Sequence, residues 1–157
     1  MSATDLGKWK WVTLYLARGP GFPDGSDRHG YYLHLPLDAD ARIDGVVWRH
    51  DAERGIVIRF NPDEGTRLGW LEHRPGGVDG ATWVIDYDET TSIDDEAGYR
   101  LDHHAFRTGE YVTVGGGEGA HTYRIAAVSD RAPLGLPPER TAGRLSSPPA
   151  PPGARRR

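Results

Sequence analysis

Two apolar segments decide the fold, and they read Trp9-Lys10-Trp11-Val12-Thr13-Leu14-Tyr15-Leu16 and Tyr31-Tyr32-Leu33-His34-Leu35-Pro36-Leu37. The odd positions of the second segment are all apolar, so a strand would gather them on one face. The first segment is apolar on both faces, which is typical of a central strand or of one covered by another layer. Together they predict a β core with a dry face.

The rest of the first 130 residues continues this alternation of short strand and turn. Runs rich in Val, Ile, Tyr, Trp and Thr are separated by Gly- and Pro-rich clusters such as 19–25 and 61–65. No window of eleven residues carries an apolar helical face, so 46–50 and 99–105 are also assigned to strands. The predicted fold class is all-β, a small barrel or sandwich of about seven to nine short strands.

An approximate internal repeat accompanies these strands. Residues 31–73 resemble residues 83–128 in their order of strand and turn, with low identity. We interpret this as a degenerate duplication, in which two similar units pack together about a pseudo-twofold axis. Gly55 and Gly109 would then occupy equivalent turns that enter equivalent strands.

Charge and proline divide the chain into two parts. The 157 residues carry a net charge of −4, but residues 131–157 hold six arginines and one glutamate, which leaves −9 for residues 1–130. Seven of the 12 prolines also lie in 131–157, and no aromatic residue anchors them. We therefore predict an all-β domain over 1–130 and a disordered Pro/Arg-rich tail over 131–157. The acidic body argues against binding to nucleic acid.

Several function classes are excluded or disfavoured by composition. The chain has no cysteine, so disulfides, Cys-ligated zinc and thiol nucleophiles are excluded. It shows neither a basic start before an apolar run nor an apolar run near the ~20 residues of a membrane helix, so we expect a cytoplasmic protein without membrane contact. Lys8 and Lys10 are the only lysines among 19 basic residues, which is typical of a GC-rich bacterial genome.

A metal-dependent enzyme is one functional interpretation of the histidines. Asp102, His104 and His121 combine carboxylate and imidazole groups, which suit zinc, iron, manganese or nickel. If 99–105 is a strand, Asp102 and His104 share a face. His121 would share its face with Tyr123, so three ligands and an open position for water are geometrically feasible. An equally feasible reading is a hydrogen-bonded polar cluster without metal.

A flavin enzyme is a related interpretation. Residues 105–114 followed by 121–125 resemble the flavin-binding barrel of ferredoxin-reductase-like proteins, which carries an aromatic residue, Pro-Gly, an apolar strand and an Arg-x-Tyr-Ser strand that holds the flavin. Here Thr108 stands at the proline and His121 at the arginine, and Arg124 follows Tyr123 in place of the serine. The resemblance covers about 20 residues and implies barrel geometry.

The five tryptophans point to a binding module. Indoles commonly line ligand pockets and interfaces, and Trp48 and Trp70 flank the hairpin of the first repeat unit. We predict a ligand cleft lined by Trp48, Trp70 and Tyr123. The favoured function is a non-enzymatic module that binds an unknown small molecule or protein and can form homo-oligomers through sheet edges. The alternative is the small metal- or flavin-dependent enzyme with a His/Asp site.

Removal of residues 132–157 is expected to leave the melting temperature nearly unchanged, because this segment has no apolar periodicity with which to dock. Calorimetry on the full-length and truncated proteins measures the difference. A loss of several degrees would show that the tail packs on the body.

Overall fold

The computed structural model describes residues 6–73, 83–87, 96–97, 101–114 and 121–133. These residues form one antiparallel sheet of eight strands that curls into a half-barrel, in the spatial order β6-β5-β4-β3-β2-β1-β8-β7. The strands are β1 (Trp9–Leu16), β2 (Ser26–Pro36), β3 (Ile56–Asn61), β4 (Gly65–His73), β5 (Trp83–Asp86), β6 (Glu96–Ala97), β7 (Tyr111–Val114) and β8 (His121–Ser129). The all-β prediction is confirmed, and the strand number falls within the predicted range.

The hydrophobic core covers one face of the sheet, here called the inner face. On β2, Tyr31, Leu33 and Leu35 are at most 1% exposed, as their alternation predicts. Leu33 lies opposite Val12 of β1 and Val57 of β3, so the apolar side chains of three neighbouring strands meet on this face. Burial of each such side chain contributes about 1.5 to 3 kcal/mol.

The opposite, outer face is apolar around β1 as well. His34 of β2 is 4% exposed and stacks on Trp11, with ring centroids 4.6 Å apart. Trp9 packs against the same imidazole at 5.1 Å. The His34 Nδ1 donates a 2.7 Å hydrogen bond to the carbonyl oxygen of Arg54, so the polar edge of the ring is satisfied. Strand β1 is therefore central and buried on both faces, as its sequence predicts.

The strand predicted over 46–50 is wrong, because helix α1 occupies Gly45–His50. Asp44 caps this helix by accepting a 3.1 Å hydrogen bond from the backbone N–H of Val47. Val47 is buried in a helical position, whereas Val46 is 62% exposed. Tertiary burial and the cap thus outweigh the β preference of two adjacent valines.

The strand predicted over 99–105 also differs from the structure. Leu101–His103 forms a turn of 3-10 helix, and the backbone N–H of His104 donates to the carbonyl of Leu101 at 3.2 Å. Leu101 is fully buried in the core cluster. One buried leucine in a turn therefore gave this segment the apolar character from which a strand was predicted.

The fold does not show the internal duplication. The strands of 31–73 lie side by side as β2, β3 and β4, but those of 83–128 are divided between the two ends of the sheet. Gly55 has a φ of −77° beside α1, whereas Gly109 has a φ of +96°. The two segments thus differ in both pairing and turn geometry.

Two further predictions concern the ends of the chain and membranes. Strand β8 ends at Ser129, and most of the predicted tail over 131–157 lies outside the described residues, so the domain boundary near 130 stays a prediction. Within the described ranges, no helix has the length and apolar character required to cross a membrane.

Gly30 is expected to be indispensable for the pairing of β1 with β2. A Cβ at this position would lie 1.9 Å from the carbonyl oxygen of Leu14 and 2.9 Å from Cζ of Phe60. Because a strand backbone cannot move aside cheaply, Gly30→Ala should lower the free energy of unfolding by about 1 to 3 kcal/mol in urea titrations.

Gly45→Ala is the matched control, since a Cβ there would meet nothing within 4 Å and the residue begins a helix. It should be neutral or slightly stabilising. Equal stability of the two variants would contradict the close approach of the strands at Gly30.

Candidate ligand-binding site

A cavity of about 250 Å³ lies under helix α1, at the end of the sheet where β4 ends and β5 begins. The sheet contributes His73 and Trp83, which are paired across the two strands. The connection between β2 and β3 supplies the rest of the wall. All lining residues are Ile43, Gly45, Trp48, Arg49, His73 and Trp83.

The position of Trp48 depends on the start of α1. The backbone N–H of Trp48 donates to the carbonyl of Asp44 at 2.9 Å, and the Asp44 side chain caps the helix. Lys8 holds the second carboxylate oxygen of Asp44 at 3.0 Å. The cap residue is thereby tied to the chain that precedes β1, which fixes the direction of a helix too short to be stable alone.

Opposing effects set the pKa of the Asp44 carboxyl. Burial raises this pKa, but the hydrogen bond from the Val47 N–H and the Lys8 ammonium group outweigh burial, and the pKa lies below its ordinary value. Asp44 is therefore ionised in the folded protein at neutral pH. Its charge is engaged by the helix start and by Lys8.

Three aromatic rings surround the cavity. Trp48 and Trp83 meet nearly perpendicularly, with centroids 5.1 Å apart and an interplanar angle of 82°. His73 lies 4.7 Å from Trp83 and 6.3 Å from Trp48. In such edge-to-face packing, parts of the ring faces and edges stay free to contact a flat ligand in the cavity.

The inner wall of the cavity is rigid. Trp83 is 3% exposed and Ile43 is 7% exposed, and both belong to the hydrophobic core cluster. A Cβ on Gly55 would lie 3.1 Å from Nε1 of Trp48, so glycine lets the indole lie against the chain here. Because Ile43 and Trp83 are packed core residues, this side of the cavity belongs to the folded scaffold.

The charge around the cavity is positive. Among the described lining residues, Arg49 is the only Lys, Arg, Asp or Glu. The neighbouring carboxylates have other partners, because Asp44 pairs with Lys8 and Asp51 pairs with Arg54. The rim therefore favours anionic over cationic groups.

Of the predicted pocket residues, the structure places only Trp48 in this cavity. Trp70 is paired with Ile56 and Asp86 on the outer face. Tyr123 lies on β8 and packs edge-on against Tyr31 at 5.1 Å, so it belongs to the core between the central strands. The structure does not bring the three predicted residues together in this cavity.

The predicted metal ligands lie on different elements. His121 is exposed at the start of β8, opposite Val114, and His104 is half-buried in the loop after the 3-10 turn. The side chain of Asp102 lies outside the described residues. The strand argument that joined Asp102 to His104 does not apply, because the chain turns at Leu101–His103. No described group of three His, Asp or Glu side chains could hold a metal ion, and the site stays a prediction.

A second cavity, of about 460 Å³, is polar and open. Its charged lining residues Arg18, Asp24, Asp27 and Arg124 are all exposed and balance in charge. Ser26 also lines it and lies 2.9 Å from Nδ1 of His29, but the Ser26 hydroxyl accepts from the backbone N–H of Arg28 as well. This cavity offers fewer fixed walls than the aromatic one.

Sequence reasoning missed His73, Trp83 and Arg49 as members of one site. The available signal was the alternation on each strand, which places His73 with Leu71 and Trp83 with Ile85 on the inner face. The pairing register and the helix were needed to bring Arg49 to the same place.

No family model matches the chain, and neither does any curated protein or solved structure. The functional argument consequently depends on the geometry of the described residues.

Asp44→Ala should lower the free energy of unfolding by about 1 kcal/mol at neutral pH, because the start of α1 loses its cap and Lys8 loses its partner. The folded pKa lies below the ordinary 3.8, so the contribution of the carboxylate is present above that pH and is lost as the pH falls toward the folded pKa. Chemical denaturation across this pH range should therefore show that the difference in free energy of unfolding between wild type and Asp44→Ala becomes smaller in acid.

Asp44→Asn is the matched variant, because its side-chain oxygen can still cap Val47 while the ion pair is lost. It should be less destabilising than Asp44→Ala. If the difference in free energy of unfolding between wild type and Asp44→Ala does not change with pH, the role of the charged carboxylate is contradicted.

Proposed function

We propose that the chain is a β module that binds a small molecule in the cavity between α1 and the β4–β5 end of the sheet. The observation that carries this proposal is the convergence of Trp48, His73 and Trp83 around one half-open cavity of about 250 Å³. Binding sites are typically concave, mostly apolar and largely preformed, with a few polar groups that orient the ligand. This cavity combines those properties.

The predicted function also included binding of a protein, for which the outer face of the sheet would be the surface. Tyr32 and Phe60 lie 4.8 Å apart there, with Tyr15 against Phe60 at 6.2 Å. Burial and then the neighbouring Tyr15 raise the pKa of the Tyr32 hydroxyl, which indicates partly dehydrated surroundings. The rings in both places pack on one another, but Trp48, His73 and Trp83 also line a common cavity. The shared cavity favours binding of a small molecule over binding of a protein.

The alternative of a metal- or flavin-dependent enzyme would use Asp102, His104 and His121. His104 and His121 lie on separate elements, and the structure adds no support for this site beyond the sequence. The aromatic cavity is therefore the preferred basis for function, and it requires no chemical step.

The neutral probe 3-methylindole should bind in the cavity and perturb the indole N–H signals of Trp48 and Trp83 in proton–nitrogen NMR spectra. Trp48→Leu should weaken binding about tenfold, because it removes one aromatic wall. Phe60→Leu makes a comparable change on the outer face and should leave affinity unchanged.

Perturbation restricted to tryptophans outside the cavity, or equal affinity of wild type and Trp48→Leu, would contradict a binding site here. The unliganded spectrum of each variant serves as the folding control. A dispersed spectrum with lost binding distinguishes a missing wall from a missing fold.

A further inference from the structure

The charged groups around the aromatic cavity indicate the class of its ligand. Arg49 lies in the last turn of α1 and is exposed, with its side chain among those that line the cavity. It makes no ion pair with any other described residue. A guanidinium in this state can bind a carboxylate through two parallel N–H groups.

The carboxylates closest in sequence do not compete for Arg49. Asp44 accepts from Val47 and pairs with Lys8. Asp51 pairs with Arg54 at the following 3-10 turn, and Glu53 shares a side-chain hydrogen bond with Asp51. Glu72 precedes His73 on β4 and so points to the outer face, away from the cavity. No described carboxylate neutralises Arg49, so an anionic group on the ligand would complement its charge.

The aromatic walls specify the rest of the ligand. A cavity of about 250 Å³ is below the usual size of sites for drug-sized molecules, so it fits one ring or two fused rings. Trp48 and Trp83 touch each other at an interplanar angle of 82° and so form an aromatic corner, against which a flat ring can pack from the cavity side. These walls favour an aromatic body over a flexible polar chain.

We infer that the cavity binds a small aromatic carboxylate, with its ring beside the contacting pair Trp48 and Trp83 and its carboxylate on the guanidinium of Arg49. This inference rests on the proposed function, because it names the ligand class of the same site. Aromatic boxes also accept organic cations through cation–π attraction. Here the positive charge of Arg49 opposes a cation and attracts an anion at the same rim.

The test compares three probes that share the indole ring and differ in charge: indole-3-acetate, 3-methylindole and tryptamine. Isothermal titration calorimetry on the full chain at neutral pH should give an affinity for indole-3-acetate about tenfold above that for 3-methylindole, with tryptamine weakest. The advantage of the acid should shrink as sodium chloride is raised, because salt screens an exposed charge pair.

Arg49→Gln should remove the advantage of indole-3-acetate and leave the affinity for 3-methylindole unchanged. Arg28→Gln makes the same charge change at an exposed position outside the cavity lining and should preserve the wild-type order of the probes. The two variants together separate a contact with Arg49 from an effect of net charge.

Each contrary result has a distinct meaning. Equal affinities for the acid and the neutral probe, or an advantage of the acid that survives Arg49→Gln, would overturn the carboxylate inference and leave the proposed binding site intact. Tightest binding of tryptamine would assign the site to organic cations and overturn it as well. Failure of 3-methylindole and of both charged probes to bind would overturn the proposed function itself.

Discussion

Strand β1 pairs with β2 along one edge and with β8 along the other, and these two ladders join the halves of the sheet. Val12 and Leu14 are completely buried on the inner face, while Trp11 is 6% exposed on the outer face. A strand that is dry on both sides must satisfy its backbone through its neighbours, since water cannot reach it. The register of β1 therefore constrains the placement of every other strand.

The placement of the strands determines the path of the β2–β3 connection. Strand β2 ends at Pro36, which has no N–H to continue a ladder, and the chain must return to begin β3 at Ile56. The return passes over the open end of the half-barrel, where Ile43 bridges back to Leu37 and enters the core. Six residues of helix cover part of this end. The aromatic cavity lies beside this helix.

The central strands were predictable from sequence because their signal is local. The alternation of Tyr31, Leu33 and Leu35 depends only on the period of a strand. Helix α1 was not predictable in the same way, since Val46 and Val47 have the local preference of a strand. Their conformation is decided by the Asp44 cap and by a core that sequence reasoning had not yet assembled.

The candidate site was predictable only in part for a related reason. Trp48 stood out in the sequence as an indole that flanks the hairpin of the first repeat unit, but the partners of its ring come from β4 and β5. Their approach depends on the pairing of His73 with Trp83, which one sequence does not specify. A ligand there would contact both α1 and the sheet, so binding would stabilise the folded position of a helix that is marginal alone. Under the proposed function, ligand affinity and the stability of this end of the half-barrel would therefore be linked through the same few contacts.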